Sequence, residues 1–284
     1  MMRFLFAAIL MLTAGYGVDA LAAAEGLATP WQLNFQPAAS PVMAKFVSMH
    51  HFLLILITVI TLFVFALLAY VCLRFNRKAN PVPSKNAHNT TIEILWTVIP
   101  VLILIAIAIP SFRLFFGCVH TIGCTEDGKP ANVDLTLKVV GYQWYWNYEY
   151  PDHQIQYDSY MKKEADLAPG EPRLLAVDNP IVVPVNANVR VLVTGGDVIH
   201  AFAMPAFGVK IDAVPGRLNE TWFRAEKEGT YYGQCSELCG RLHGFMPIQI
   251  EVVSKERFDQ WIEQKKKQLS SNNGAESVRA EVQQ

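Results

Sequence analysis

A two-helix membrane hairpin followed by an all-β Greek-key barrel or sandwich is the fold class this sequence predicts, and three observations carry it. Two long uncharged runs lie in the first 117 residues, Phe52 to Leu73 and Ile94 to Phe112. Residues 131 to 253 read as short strands broken at regular intervals by turn signals. Finally, 52% of the 284 residues are hydrophobic, which is high for a chain that lies wholly in water. The formal net charge of −1 gives no support to nucleic-acid binding.

The chain opens with Arg3, an apolar run from Phe4 to Leu12, and small residues at Ala20, Ala22, Ala23 and Ala24. That is the layout of a cleavable secretory signal over residues 1–24, the apolar run being too short to cross about 30 Å of hydrocarbon. Residues 25–117 then hold an exported N-terminal segment and the hairpin. The 22 uncharged residues from Phe52 to Leu73 suffice for one span. The second run tolerates Pro100 and Pro110, because prolines are accepted in membrane helices more readily than in soluble ones. Between the runs lie Arg74, Arg77, Lys78 and Lys85 and no acid, which puts that loop on the cytoplasmic side and both chain ends outside. Glu93 falls at the cytoplasmic mouth of the second helix. An acid in a first turn is favoured by the helix dipole, and it is equally a carboxylate placed to handle protons at the membrane edge. Cys72 reads as a small apolar residue of the first span.

Residues 118–253 are expected to form the exported β-domain. Cys118 and Cys124 bracket a short turn and are spaced for a disulfide. Val133, Leu135, Leu137 and Val139 alternate with polar residues, as do Val189, Val191 and Val193. Turns are signalled at Pro169-Gly170, Asn179-Pro180, Gly195-Gly196, Pro215-Gly216 and Glu228-Gly229. Gly141-Tyr142-Gln143-Trp144-Tyr145-Trp146-Asn147-Tyr148-Glu149-Tyr150 packs six aromatics into ten residues. A strand with half its aromatics in the core accounts for them. An exposed aromatic beside the acids Glu149, Asp152 and Asp158 also suits docking of a basic protein steered by charge. Residues 254–284 give a helix capped by Ser254, with Phe258, Trp261 and Ile262 as its apolar face, then a polar tail from 270 expected to be disordered.

The chemistry concentrates in Gly233-Gln234-Cys235-Ser236-Glu237-Leu238-Cys239-Gly240-Arg241-Leu242-His243-Gly244-Phe245-Met246. Two thiols, an imidazole and a thioether are a soft donor set, suited to copper and poorly suited to magnesium or calcium. A mononuclear blue-copper site needs a single cysteine. The second makes sense if both sulfurs bridge two copper ions, with a second imidazole brought from Asp197-Val198-Ile199-His200. Two plainer readings stand beside this one, a disulfide in an oxidising compartment and a structural zinc site. Neither uses Met246.

At this point the chain resembles subunit II of bacterial aa-type haem–copper cytochrome c oxidases. The matching segments are Glu93-Ile94-Leu95-Trp96-Thr97, Gly141 to Trp146, Asp197 to His200, Pro215-Gly216-Arg217-Leu218-Asn219 and Tyr231 to Gly240, followed by His243 and Met246. The resemblance implies a cupredoxin-like barrel carrying the dinuclear copper centre CuA, bound by His200, Cys235, Cys239, His243, Met246 and the backbone carbonyl of Glu237. It implies that the Glu237 side chain reaches a Mg or Mn ion shared with subunit I. It implies that Trp144 receives electrons from cytochrome c, that Glu93 stands at the mouth of a proton pathway, and that the electrons pass to haem in subunit I. Other oxidase subunits and membrane lipid are then its neighbours, in a bacterial inner membrane with the C-terminal domain in the periplasm. Oxygen reduction in subunit I would be coupled to proton pumping. The Cys118–Cys124 pair departs from the family pattern. The alternatives to this resemblance are a membrane-anchored copper chaperone, a quinol oxidase subunit lacking the ligands, and a non-redox subunit with a zinc-filled loop.

Overall fold

The computed structural model describes residues 26–123 and 130–282, with side chains through residue 271. The expected signal segment lies outside the described residues, and so does Cys124, hence the expected pairing with Cys118. Helix α1 spans Pro41–Arg74 and α2 spans Thr90–Leu114. Both are long and apolar enough to cross a membrane, and neither apolar stretch is buried by protein. Helix α1 starts eleven residues before the uncharged run because of its cap. The Ser40 hydroxyl accepts from the Met43 N–H at 3.0 Å while Pro41, which has no N–H, takes the first helical position. The same hydroxyl donates to the Phe207 carbonyl at 2.7 Å, which ties the hairpin to the β-domain. Helix α2 is capped by Asn89, whose side chain accepts from the Ile92 N–H, and it runs on through a π-turn at Phe115–Val119. Within that turn the Cys118 carbonyl accepts from the buried Trp222 indole at 2.9 Å, so the hairpin's second leg is also fastened.

The β-domain is a sandwich of two five-stranded sheets. The first holds β1 (Leu135–Tyr142), β2 (Tyr145–Tyr150), β3 (Ile155–Ser159), β5 (Val189–Gly195) and β8 (Asn219–Phe223), in the order β3-β2-β1-β5-β8. The second holds β4 (Ile181–Pro184), β6 (His200–Met204), β7 (Val209–Ala213), β9 (Gly229–Cys235) and β10 (Pro247–Val253), in the order β4-β10-β9-β6-β7. Pairings are antiparallel except β1 with β5 and β4 with β10. A bridge between Gly195 and Pro215 links the end of β5 to the turn after β7.

The alternation read from the sequence is the alternation of the core. Leu135, Leu137, Val139, Val189, Val191 and Val193 all point inward and are buried. Val133 stays outside β1 and is 41% exposed. In β2 the aromatics divide as the period of two requires: Trp146, Tyr148 and Tyr150 enter the core, while Tyr145 is only partly covered. Helix α3 (Lys255–Val282) lays Phe258 and Ile262 on the sandwich, with Trp261 5.3 Å from the Tyr150 ring. It continues through the stretch from 270 expected as a disordered tail. Ala275, Glu276, Arg279, Ala280 and Glu281 are good helix formers, and they carry the helix past the weaker Asn272, Asn273 and Gly274.

Candidate metal centre

Strands β6 and β9 are antiparallel neighbours, with Phe202 opposite Cys235. His200 opens β6 and Cys235 closes β9, so both stand at the same end of the sandwich. The loop from 236 to 246 folds back over that end before β10 starts at Pro247, delivering Cys239, His243 and Met246. The two sulfurs of Cys235 and Cys239 are 3.9 Å apart. His200 Nδ1 lies 3.9 Å from the Cys235 sulfur, and His243 Nδ1 lies 3.5 Å from the Cys239 sulfur. Met246 Sδ is 3.5 Å from the Cys239 sulfur. The Glu237 carbonyl accepts from the Cys235 thiol at 3.3 Å. The sequence-predicted donors therefore come together in full, with His200, Cys235, Cys239 and Met246 buried and His243 partly covered.

This donor set fits a soft metal. Both cysteines are free, and their sulfurs are far beyond the roughly 2.05 Å of a disulfide. Yet they are close enough for both to touch one ion at the roughly 2.3 Å of a metal–thiolate bond. Their acidities diverge. Burial opposes the Cys235 thiolate, but the His200 hydrogen bond with help from backbone groups outweighs it and brings its pKa down to about 6. Burial and the Cys235 charge push Cys239 up to about 12. The pair thus holds one negative charge readily and a second only when a cation arrives, as expected for two thiolates awaiting metal.

Several neighbours shape the site. Asp197 Oδ1 is 2.9 Å from His200 Nε2, which fixes that nitrogen as the donor and leaves Nδ1 free toward the sulfur. Burial would raise the Asp197 carboxyl, but hydrogen bonds from His200 and from the Val198 and Gln143 N–H groups hold it below its usual value. Burial would likewise lower His200, and its bonds to Cys235 and Asp197 win, keeping it above its usual value. The buried Trp146 indole donates to the Met246 carbonyl at 3.1 Å and sits 6.0 Å from the His200 ring. Gly141 lets the His200 side chain approach β1 closely, since a Cβ there would come to 2.9 Å from three His200 atoms. Gly240, at φ +116, turns the loop beneath Trp144. Asp197, Trp146 and Gly141 were quoted in the sequence only as parts of motifs. The signal for Asp197 was its place three residues before a ligand, in a turn.

The other sequence-predicted site residues separate. Trp144 is at the metal end: its indole and the Gln143 amide both donate to the Cys239 carbonyl, at 3.2 and 2.8 Å. The side of its ring is partly covered, with the Arg241 guanidinium 6.0 Å from its centroid. Glu237 is exposed within the loop. Glu149 and Asp152 lie at the far end of β2 from Trp144, about 16 Å along the strand at ~3.3 Å per residue. Glu149 is paired with Lys138 at 2.7 Å, and Asp152 accepts from the Thr136 N–H. Asp158 accepts from Asn147 at 2.7 Å and sits by the stacked rings of Tyr145 and Tyr160. Glu93 is at the opposite end of the hairpin, where its carboxylate accepts from the Asn89 N–H at 3.2 Å.

A two-span membrane chain with a soft-metal site at the end of its β-sandwich is the class these observations define. Two family models match it: cytochrome C oxidase subunit II, transmembrane domain, over residues 28–114, and cytochrome C oxidase subunit II, periplasmic domain, over residues 135–253. The probable cytochrome c oxidase subunit 2 of Rickettsia felis is 59% identical over 239 residues, 84% of this chain and 73% of that protein. That of Rickettsia bellii is 58% identical over 84% of this chain and 86% of its own. Cytochrome c oxidase subunit 2 of Oenothera berteroana is 47% identical over 83% and 90%. A crystal structure of the periplasmic domain of cytochrome oxidase subunit II from Bradyrhizobium japonicum is 60% identical, covering 49% of this chain and 97% of its own, with a TM-score of 0.46. The chain belongs to the cytochrome c oxidase subunit II family. It is therefore a subunit of an oxidoreductase complex, and its grouped His200, Cys235 and Cys239, with Met246 beside them, are candidates for a CuA-type copper site, in keeping with that family and not with a chaperone or a zinc-filled subunit.

Proposed function

We propose that this subunit receives electrons from cytochrome c and delivers them to haem in subunit I, through a dinuclear copper centre held by His200, Cys235, Cys239, His243, Met246 and the Glu237 carbonyl. The observation that carries this reading is the paired thiols 3.9 Å apart with an imidazole at each sulfur and a thioether at one. Copper bound there supplies one-electron transfer. The chain's own residues do the rest. Cys235 and Cys239 give up their protons to bind, and Asp197 keeps His200 in the ligating tautomer. The sandwich excludes water from all but the His243 side of the site. Trp144 is where electrons from the donor arrive, since its indole is bonded to the carbonyl of a metal-ligating cysteine.

The exposed Glu237 carboxylate is a hard oxygen donor suited to a Mg or Mn ion shared with subunit I. Steering of cytochrome c falls chiefly to Asp158, since Glu149 is paired with Lys138 and Asp152 lies far along the strand. Glu93 serves as the mouth of a proton pathway on the cytoplasmic side. The chain sits in a bacterial inner membrane with its β-domain in the periplasm; the basic loop between the spans supports that orientation.

Trp144→Gln in the assembled oxidase tests the reading. Copper content and spectrum should stay as in wild type, while stopped-flow electron arrival from cytochrome c falls by two orders of magnitude or more. Normal transfer in that variant assigns Trp144 a packing role and moves the receiving point elsewhere.

A further inference from the structure

We propose that the hairpin binds an anionic phospholipid in a groove at the end of the membrane span nearer the β-domain. The groove, about 650 Å³, lies between α1 and α2. Its floor is apolar, from Met49, Phe52, Ala106 and Pro110, and two cations, Lys45 and Arg113, stand at its rim. No acid lines it. Both cations are exposed, and neither is paired with an acid among the described residues.

The position of these residues in the span decides the occupant. Phe52 opens the uncharged run of α1 and Phe112 closes that of α2, so Phe52, Ala106 and Pro110 of the floor are in the hydrocarbon layer, with Met49 at its edge and the two cations just beyond it. Helix α1 carries no acid, and the sole acid of α2, Glu93, is 20 residues from Arg113, roughly 30 Å along the helix. Two unneutralised cations at the mouth of an apolar groove complement one molecule with a negative head and a hydrocarbon tail. Lysine and arginine near a span favour the cytoplasmic side, so a pair of them at this end is against the usual bias and is explained by a lipid phosphate bound there. The Ser48 hydroxyl at the same rim already donates to the Ala44 carbonyl, which leaves the charged pair as the groove's recognition element.

The test uses the assembled oxidase in nanodiscs of phosphatidylcholine with a tenth part of a photoreactive phosphatidylglycerol, its reactive group on the acyl chain. After illumination, label on peptides spanning 45–52 and 106–114 is counted by mass spectrometry, with photoreactive phosphatidylcholine in a parallel sample. The expected result is label from the anionic lipid at least tenfold above that from the zwitterionic one. It should drop about tenfold in Lys45→Gln/Arg113→Gln and persist in Lys45→Arg/Arg113→Lys. Equal labelling by both lipids, or label unchanged in the glutamine pair, overturns the proposal. Absence of label from either lipid also overturns it, because another subunit then covers the groove. Intact copper content in both variants shows that the complex is assembled in each.

Discussion

The hairpin and the metal end of the sandwich draw on the same apolar residue types and treat them in opposite ways. In the β-domain Trp146, Phe202 and Phe223 are wholly inaccessible, whereas Leu62, Phe63 and Phe65 of α1 are 61%, 62% and 66% exposed. Period separates them. Every second residue faces inward along β1 and β5, while the spans are apolar all round and so have no face to hide. The hairpin's surroundings must therefore be lipid and other subunits, and the metal site's surroundings are the chain itself. Only the second can fix donor atoms to within fractions of an ångström, because close-packed interiors resist displacement. The spans hold the protein in place; the sandwich end holds the chemistry.

The largest effect that follows is on stability. Trp146→Ala removes a buried ring and the hydrogen bond to the Met246 carbonyl, and should cost the β-domain roughly 3–5 kcal/mol in a urea titration of the purified complex. Leu62→Ala, on the lipid-facing side of the comparison, should stay within about 0.5 kcal/mol. Similar losses at both positions would mean the spans are packed as tightly as the core. A glycine pair sharpens the contrast. Gly141→Ala drives a methyl into the His200 ring, costing about 1–3 kcal/mol and lowering the copper content of the complex. Gly117→Ala, where a Cβ meets nothing within 4 Å, should be neutral in both measurements.

Smaller again is the effect of the carboxylate behind His200. Asp197→Asn keeps the shape but weakens the hold on the ring, and should reduce copper affinity by about 10- to 100-fold in a chelator competition. Asp158→Asn, whose partner is Asn147 rather than a ligand, should leave that affinity unchanged.

Much of this was legible in the sequence because it rests on short-range spacing. Steps of four, four and three residues from Cys235 to Met246 describe one loop, and one loop can bring its donors to a point without help from the rest of the fold. His200 needed more: the sequence suggested a loop position after a strand, and the structure makes it the first residue of β6, whose buried run does not alternate. The start of α1 at Pro41 was missed because an uncharged run measures contact with lipid, not helix length. Also missed was the segment from Gly26 to Ser40, which has no period yet packs on the sandwich through backbone bonds such as Ala39 N–H to the Ala206 carbonyl. The acids Glu149, Asp152 and Asp158 looked like one patch in the chain. Pairing of Lys138 with Glu149 across β1 and β2, set by strand register, broke it up. Register between strands is a property of the assembled sheet, and single-strand patterns do not encode it.

The central claim is that Cys235 and Cys239 together hold two copper ions in one site. The direct measurement is metal content of the purified complex with the electron paramagnetic resonance spectrum of this subunit's copper, in wild type and in Cys235→Ser. Two coppers per chain here, with one unpaired electron shared equally between them in the wild type and that sharing lost in the variant, is the result this account predicts. A single copper per chain at this site, zinc in its place, or an unshared signal in the wild type would contradict it.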